Sequence, residues 1–221
     1  MAPMTDSDIA ALYLSAEQRW MERWVEGPTI EGNPLRRGDA APVVEVTGED
    51  GANLMLDETW TDGPALIMLW RHLGCGCGMD RTGRLQDELP RYEEAGLNVV
   101  ICAPADRHRI AIYKEKHEVA VPMYSDPDYA AHKAFGLGHW SVEQVLYDAP
   151  DEFCDLGRNT GKKFQDDRRD QGRPMVDDPW MQSGEFVVDS SGMIRVAYLY
   201  NYCEDFPDPR VFTTAARLAS T

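Results

Sequence analysis

The sequence predicts an α/β domain, with a central mixed β-sheet flanked by helices, an N-terminal helix and a long insertion before a closing hairpin. Three observations predict it. Apolar runs at 64–70 and 97–103 alternate with longer amphipathic segments at 79–95 and 106–118, the pattern of strands joined by crossover helices. Hairpin signals lie near both ends: Asp50-Gly51 separates strand candidates 43–46 and 53–56, and Ser190-Ser191-Gly192 separates 185–189 and 193–198. The length, 221 residues, with 43% hydrophobic and 27% charged residues, supports one sizeable core and excludes a disordered or fibrous chain.

The elements follow in order. Residues 7–26 read as a helix. Leu12, Trp20, Met21, Trp24 and Val25 fall broadly on one face, Ser7 is placed to cap it, and Gly27-Pro28 stops it. Residues 1–37 are thus an N-terminal helix and connector, and 38–221 one domain. After the first hairpin, the buried strand 64–70 runs into a glycine-rich loop and the helix 79–95, which Gly96 ends as a C′ residue. A buried strand at 97–103, a helix at 106–118, a short strand at 122–124 and a short helix at 128–135 follow. Residues 138–182 read as a long, polar, irregular insertion whose stretch 158–173 holds six Lys and Arg. Insertions of this length are commonly lids over a site. The closing hairpin leads to a final helix, 209–219.

The charge is −16. Phosphate contacts need a basic surface, so a nucleic-acid binder is excluded, as is docking on anionic membranes. The longest apolar run, 65–70, is far below the roughly 20 residues a spanning helix needs. The polar, acidic start is unlike a signal peptide. A cytoplasmic location is expected. The five cysteines then face a reducing compartment, where thiols serve catalysis or metal binding more often than structure, and the odd number excludes a complete disulfide framework.

Cys75 and Cys77 carry the chemistry, in the loop Gly74-Cys75-Gly76-Cys77-Gly78 between a strand and a helix. A cysteine at a helix N-terminus faces unpaired N–H groups and the positive end of the helix dipole, which favour the thiolate. Arg71 and His72 add positive potential from the same loop, with Arg81 and Arg84 close in sequence. The glycines remove bulk, so a substrate or a second sulfur can approach. Filling of a turn by small apolar residues is the plain alternative. A soft-metal site of Cys75, Cys77 and His72 is another, although no second Cys/His pair lies at zinc spacing. Cys102 reads as core and Cys154 lies in the insertion. Cys203, beside Glu204 and Asp205, reads as a poor nucleophile that serves as a second thiol if the fold brings it near Cys75. His108, His117, His132 and His139 read as surface or capping residues, and the tryptophans of 7–26 as core.

Four segments together resemble the thioredoxin-like superfamily on its peroxiredoxin-like branch, the alkyl hydroperoxide reductase/thiol-specific antioxidant type. They are Gly38-Asp39-Ala40-Ala41-Pro42; strand 64–70 with Arg71-His72-Leu73-Gly74-Cys75; the stretch from Val121-Pro122 through Ser125-Asp126-Pro127 to Phe135-Gly136; and the hairpin around Asp189 and Gly192. The departures are specific. Peroxiredoxins carry Pro-x-x-x-Thr/Ser-x-x-Cys. Here Met68 and His72 stand at those places before Cys75, and Trp70 and Gly74 before Cys77. Tyr129 stands where the family's catalytic Arg is expected, and Ser183 where thioredoxins carry a cis-Pro.

The resemblance implies a thiol-dependent oxidoreductase without a cofactor. It acts on a peroxide or on a thiol/disulfide substrate, with a separate reductant, in a fold commonly built as a homodimer. Cys75 would attack and Cys77 resolve, or the reverse, with Arg71 or His72 steadying the thiolate and the insertion 138–182 choosing the substrate. Two readings stand beside this one. One is a binding module holding a soft metal or small ligand at Cys75, Cys77 and His72 without turnover. The other is a non-redox enzyme built on the insertion.

Overall fold

The computed structural model describes residues 6–219, and Ser7 and Leu12 lie outside its described side chains. The strands are β1 (Glu45–Thr47), β2 (Asn53–Met55), β3 (Ala65–Leu69), β4 (Asn98–Ala103), β5 (Met123–Ser125), β6 (Gly184–Val188) and β7 (Ile194–Leu199). They form one seven-stranded sheet in the order β2-β1-β5-β4-β3-β6-β7. β3, β4 and β5 pair in parallel and every other neighbour is antiparallel. The helices are α1 (Asp6–Glu26), α2 (Gly76–Glu94), α3 (Arg107–His117), α4 (Ala130–Ala134), α5 (Val142–Val145), α6 (Arg158–Asp170) and α7 (Pro209–Ala219). Every strand and helix that the sequence pattern predicts is present. No described helix is long and apolar enough to cross a membrane.

The continuous apolar runs are central strands covered on both faces, and their side chains alternate between two cores. Leu66 and Met68 of β3 and Val99 and Ile101 of β4 pack with Leu85 and Tyr92 of α2 and Phe212 of α7. Ala65, Ile67 and Leu69, with Val100 and Cys102, face Leu56 and Phe135 on the other side.

The insertion differs from the irregular segment expected: it contains α5, a 3-10 turn at Asp151–Phe153, and α6. Its basic stretch is helical because the charges interleave at helical spacing. Lys162 pairs with Asp166, and Lys163 with Asp167, each four residues on. Arg169 is likewise paired, with Asp166 and Glu17. Phe164 and Gln165 turn inward, where Trp20, Trp24, Phe164 and Trp180 stack with ring centroids 5.2–6.0 Å apart. Trp20 and Trp24 are core, as expected, whereas Val25 is 42% exposed and leaves the predicted apolar face. At Gly161 a Cβ would lie 2.6 Å from the Trp24 ring, so only glycine lets α6 sit this close to α1.

The closing hairpin turns on Asp189, 2% exposed. Its carboxylate accepts from the Ser191 and Met193 N–H groups, the Ser191 hydroxyl and Arg195. Burial raises its pKa, but these donors outweigh it and hold the carboxyl below its usual range. Asp189→Ala leaves those donors unpaired and is expected to cost about 2 kcal/mol, roughly 4–8 °C in thermal midpoint for a chain of this size. Because the folded pKa is depressed, this stability is present above the unfolded carboxyl's pKa and is lost as pH falls through the folded value. Thermal melts of both proteins down to strongly acid pH check the magnitude and the convergence.

Candidate active site

The site lies where β3 hands over to α2, at the carboxyl end of the parallel strands. Trp70, Arg71 and Leu73 of the connecting loop are each tied to other elements. The Trp70 N–H bonds the Cys102 carbonyl, and the Trp70 carbonyl meets His132 Nε2 at 3.1 Å. The Tyr129 hydroxyl donates to the Arg71 carbonyl at 3.3 Å and accepts from the Asp178 N–H at 2.7 Å. The Leu73 N–H donates to Asp177 at 3.1 Å, and that carboxylate is clamped by two bonds from Arg109 at 2.6 and 2.8 Å. The loop is therefore preorganised from four sides. Tyr129, at the place of the expected arginine, is a buried anchor for the loop. Burial and Asp177 raise its pKa, so it stays a donor. It adopts a left-handed φ of 56°, a conformation costly for a bulky residue and sustained here by both of its hydrogen bonds.

Cys75 is the N-cap residue of α2, and Cys77 lies in its first turn. The helix thus begins three residues before the predicted start. The Cys75 side chain makes no capping hydrogen bond, which corrects the expectation that free helix N–H groups would hold the thiolate. Its electrostatic partners are instead other thiols. Cys203, on the loop after β7, lines the same cavity as Cys75 and Cys77. Hydrogen bonds with Cys203 and then Cys77 hold Cys75 well below the ordinary thiol range, against burial and with help from His72. Bonds to Cys203 and Cys75, together with burial, push Cys77 well above it. The bond to Cys75 is also the main cause raising Cys203. By direction, Cys75 is the thiol of the three whose ionised form these contacts favour. Cys75 is also the more open of the loop pair, since Cys77 is only 6% exposed.

Arg71 supplies the countercharge. It is 5% exposed. Nη1 donates to Cys203 Sγ at 2.8 Å and Nη2 to the Pro179 carbonyl at 2.7 Å. Its guanidinium lies 5.1 Å from the Trp140 ring centroid. Arg71 Nε and His72 Nε2 are buried without a hydrogen-bond partner. The thiols, Arg71 and His72 open into a cavity of about 390 Å³ walled by Trp20, Trp24, Phe153 and Phe164. Part of that wall is the insertion, so the segment expected over the site does line it, with its aromatic residues and Arg168.

The remaining expectations sort as follows. Cys102 is fully buried and its thiol is pushed up by burial, a core residue as read. Cys154 is exposed and lies outside the cavity wall. His108 is on the surface. His132 is fully buried between Asp126 and Trp70, and His139 accepts from the Thr29 N–H at 2.9 Å and faces Asp178. His139 thus caps backbone N–H groups, as read, whereas the burial of His132 corrects its surface reading. No cis peptide occurs among the described residues, and the Ser183 carbonyl accepts from the Tyr200 N–H. No group of three or more His, Cys, Asp or Glu arranged to hold a metal ion is found among the described residues. The segment 70–78 and its two thiols were legible from spacing. Cys203 was visible only as a conditional partner, because its role depends on a contact between segments over a hundred residues apart.

Comparison with known proteins agrees with this architecture. The chain is 25% identical over 117 residues to the peroxiredoxin Bcp of Escherichia coli, covering 52% of this chain and 74% of that one. It is 21% identical over 178 residues to the chloroplastic thioredoxin-like protein AAED1 of Arabidopsis thaliana, covering 78% and 69%. Among solved structures, a peroxiredoxin-like protein from Aquifex aeolicus superposes with a TM-score of 0.58 at 14% identity, covering 87% of this chain and 92% of that one. Peroxidoxin BcpB from Mycobacterium tuberculosis gives 0.57 at 12%, covering 84% and 97%. These likenesses establish the fold. The model of the AhpC/TSA family matches residues 37–197, from the connector through the thiol loop and nearly to the end of the closing hairpin, and the chain belongs to that family of thiol-dependent redox proteins.

Proposed function

We propose that this protein reduces a hydroperoxide or a disulfide, with Cys75 as the attacking thiolate. The observation that carries the reading is the placement of Cys75 in an aromatic-walled cavity that two further thiols and a buried guanidinium also line, with its pKa direction favouring the thiolate. With a hydroperoxide, the sulfur takes the distal oxygen: Cys75 becomes a sulfenic acid and the departing alkoxide leaves as the alcohol with one proton. With a disulfide, Cys75 forms a mixed disulfide and one thiolate leaves. A second thiol of the cavity then closes a disulfide, which an external dithiol reduces. The absence of the usual Pro and Thr/Ser before Cys75 leaves Arg71 and His72, each with an unpartnered buried nitrogen, as the groups placed to meet the oxidant's oxygen.

Two measurements test this. Iodoacetamide labelling, followed cysteine by cysteine by mass spectrometry, is expected to mark Cys75 first. Because its pKa is lowered, its labelling rate should stay high as pH falls well below about 8.5, the value of a free thiol, while Cys77 and Cys203 fade from higher pH. Hydrogen peroxide and, separately, oxidised glutathione should be consumed with dithiothreitol as reductant. Absence of turnover with both oxidants overturns the proposal.

A further inference from the structure

We infer that Cys203 is the thiol that closes the disulfide with Cys75, and that its withdrawal from Arg71 and α5 loosens the insertion over the cavity. The inference rests on Cys75 being oxidised as proposed above, and deepens it by naming the partner and what its movement does.

Of the thiols beside Cys75, Cys77 is the worse placed. It is separated from Cys75 by one glycine and fixed in the first turn of α2. A disulfide between them closes a small ring in a geometry that ordinary disulfides avoid. Cys203 comes from the opposite wall, on an irregular loop held by short-range bonds of Asp205 to Asn201 and Tyr202. It is free to advance without unwinding a helix. The condensation balances: the Cys203 thiol attacks the sulfur of the Cys75 sulfenic acid, the S–O bond breaks, an S–S bond forms, and hydroxide leaves as water with the Cys203 proton. An external dithiol then returns both sulfurs to thiols and is itself oxidised.

The consequence follows from what Cys203 touches before it moves. Its sulfur accepts from Arg71 and faces the Val145 carbonyl of α5 at 3.6 Å. The same loop meets the insertion twice more, through Gln144 to the Asn201 carbonyl and Tyr147 to Glu204. Arg71 meanwhile joins both ends of the insertion, by its bond to Pro179 and its stacking on Trp140. In the reduced protein the thiolate shared among the cysteines balances this buried cation. A disulfide carries no charge. Closing it removes the anion of the cluster and the Cys203 contacts to α5 together, and a buried cation left without a counter-anion is costly. The loop 201–204 and α5 should therefore part when the site is oxidised, opening the cavity to the reductant.

The test is one molar equivalent of hydrogen peroxide on the full chain, followed by non-reducing peptide mapping and by hydrogen exchange. A Cys75–Cys203 disulfide is expected, with exchange at least about tenfold faster in 142–147 and 201–204 than in the reduced protein, and with both changes retained in Cys77→Ala. In Cys203→Ala the sulfenic acid of Cys75 should persist and be trapped by dimedone, with exchange in 142–147 unaltered by peroxide. A Cys75–Cys77 disulfide in the wild type overturns the inference and leaves the proposed function standing. A Cys75–Cys203 disulfide with unchanged exchange overturns the opening of the insertion. No oxidation of Cys75 at all overturns the proposed function itself. The wild-type map decides between these outcomes even if a variant fails to fold.

Discussion

Cys75→Ser is expected to lower reduction of hydroperoxide at least about a thousandfold, equivalent to roughly 4 kcal/mol of lost transition-state stabilisation. A serine hydroxyl is not ionised at neutral pH and has no comparable nucleophilicity towards oxygen or sulfur, while the cavity, Arg71 and His72 remain in place. The loss should fall on the first step, so single-turnover experiments isolate it. Trp20 and Trp24 wall the cavity, and their fluorescence offers the readout. Cys77→Ser is the discriminating control. It removes one of the two thiols that hold Cys75 ionised, and the lesser of them. Its single-turnover rate should therefore stay within about tenfold of wild type at neutral pH, with the pH profile displaced upward. If Cys77→Ser instead abolishes the first step while Cys75→Ser keeps it, the roles of the two cysteines are exchanged.

Much of this site was legible in the sequence because its parts are local. A strand of apolar residues, a glycine-rich loop and a following helix place Cys75 and Cys77 at a helix start whatever the rest of the chain does. What lowers the Cys75 pKa was not legible. The helix N-terminus was the visible cause, but the Cys75 side chain caps nothing, and the partners that lower it are Cys203, Cys77 and His72. Arg71 was picked out for its charge, yet its geometry depends on Pro179, Trp140 and Cys203, none near it in sequence. The insertion misled for a related reason. Polar composition suggested an irregular segment, whereas Lys–Asp spacing and one narrow face of Gly161, Phe164 and Gln165 suffice for a helix once Trp20 and Trp24 provide a surface. Tyr129 was read only from its place in the family pattern and His132 from its residue type, and their roles are set by the carbonyls of Arg71 and Trp70.

Arg81→Ala is expected to have the largest effect on stability. Arg81 lies one helical turn beyond Cys77 with its side chain 3% exposed, bound to Glu185 of β6 at 2.7 and 3.2 Å and to Glu88 at 2.8 Å. Tyr92 donates to Glu88, and Tyr200 to Glu185. Glu185 is 1% exposed. Removing the guanidinium leaves two buried carboxylates facing one another with only phenolic donors. Breaking such a buried pair costs about 3–5 kcal/mol, or roughly 6–20 °C in melting temperature at this chain length. Arg81→Met combined with Glu185→Gln removes a charge of each sign and should lose less than Arg81→Ala alone, because the members of the network are coupled. Denaturant melts of the three proteins at neutral pH measure this directly. A deficit for Arg81→Ala below about 1 kcal/mol at neutral pH, the range of exposed pairs, would mean that the network is hydrated in solution. In that case the first turn of α2, with Cys75 and Cys77, would lack the rigid tether to β6 that the proposed chemistry relies on to keep the sulfurs in register with Cys203.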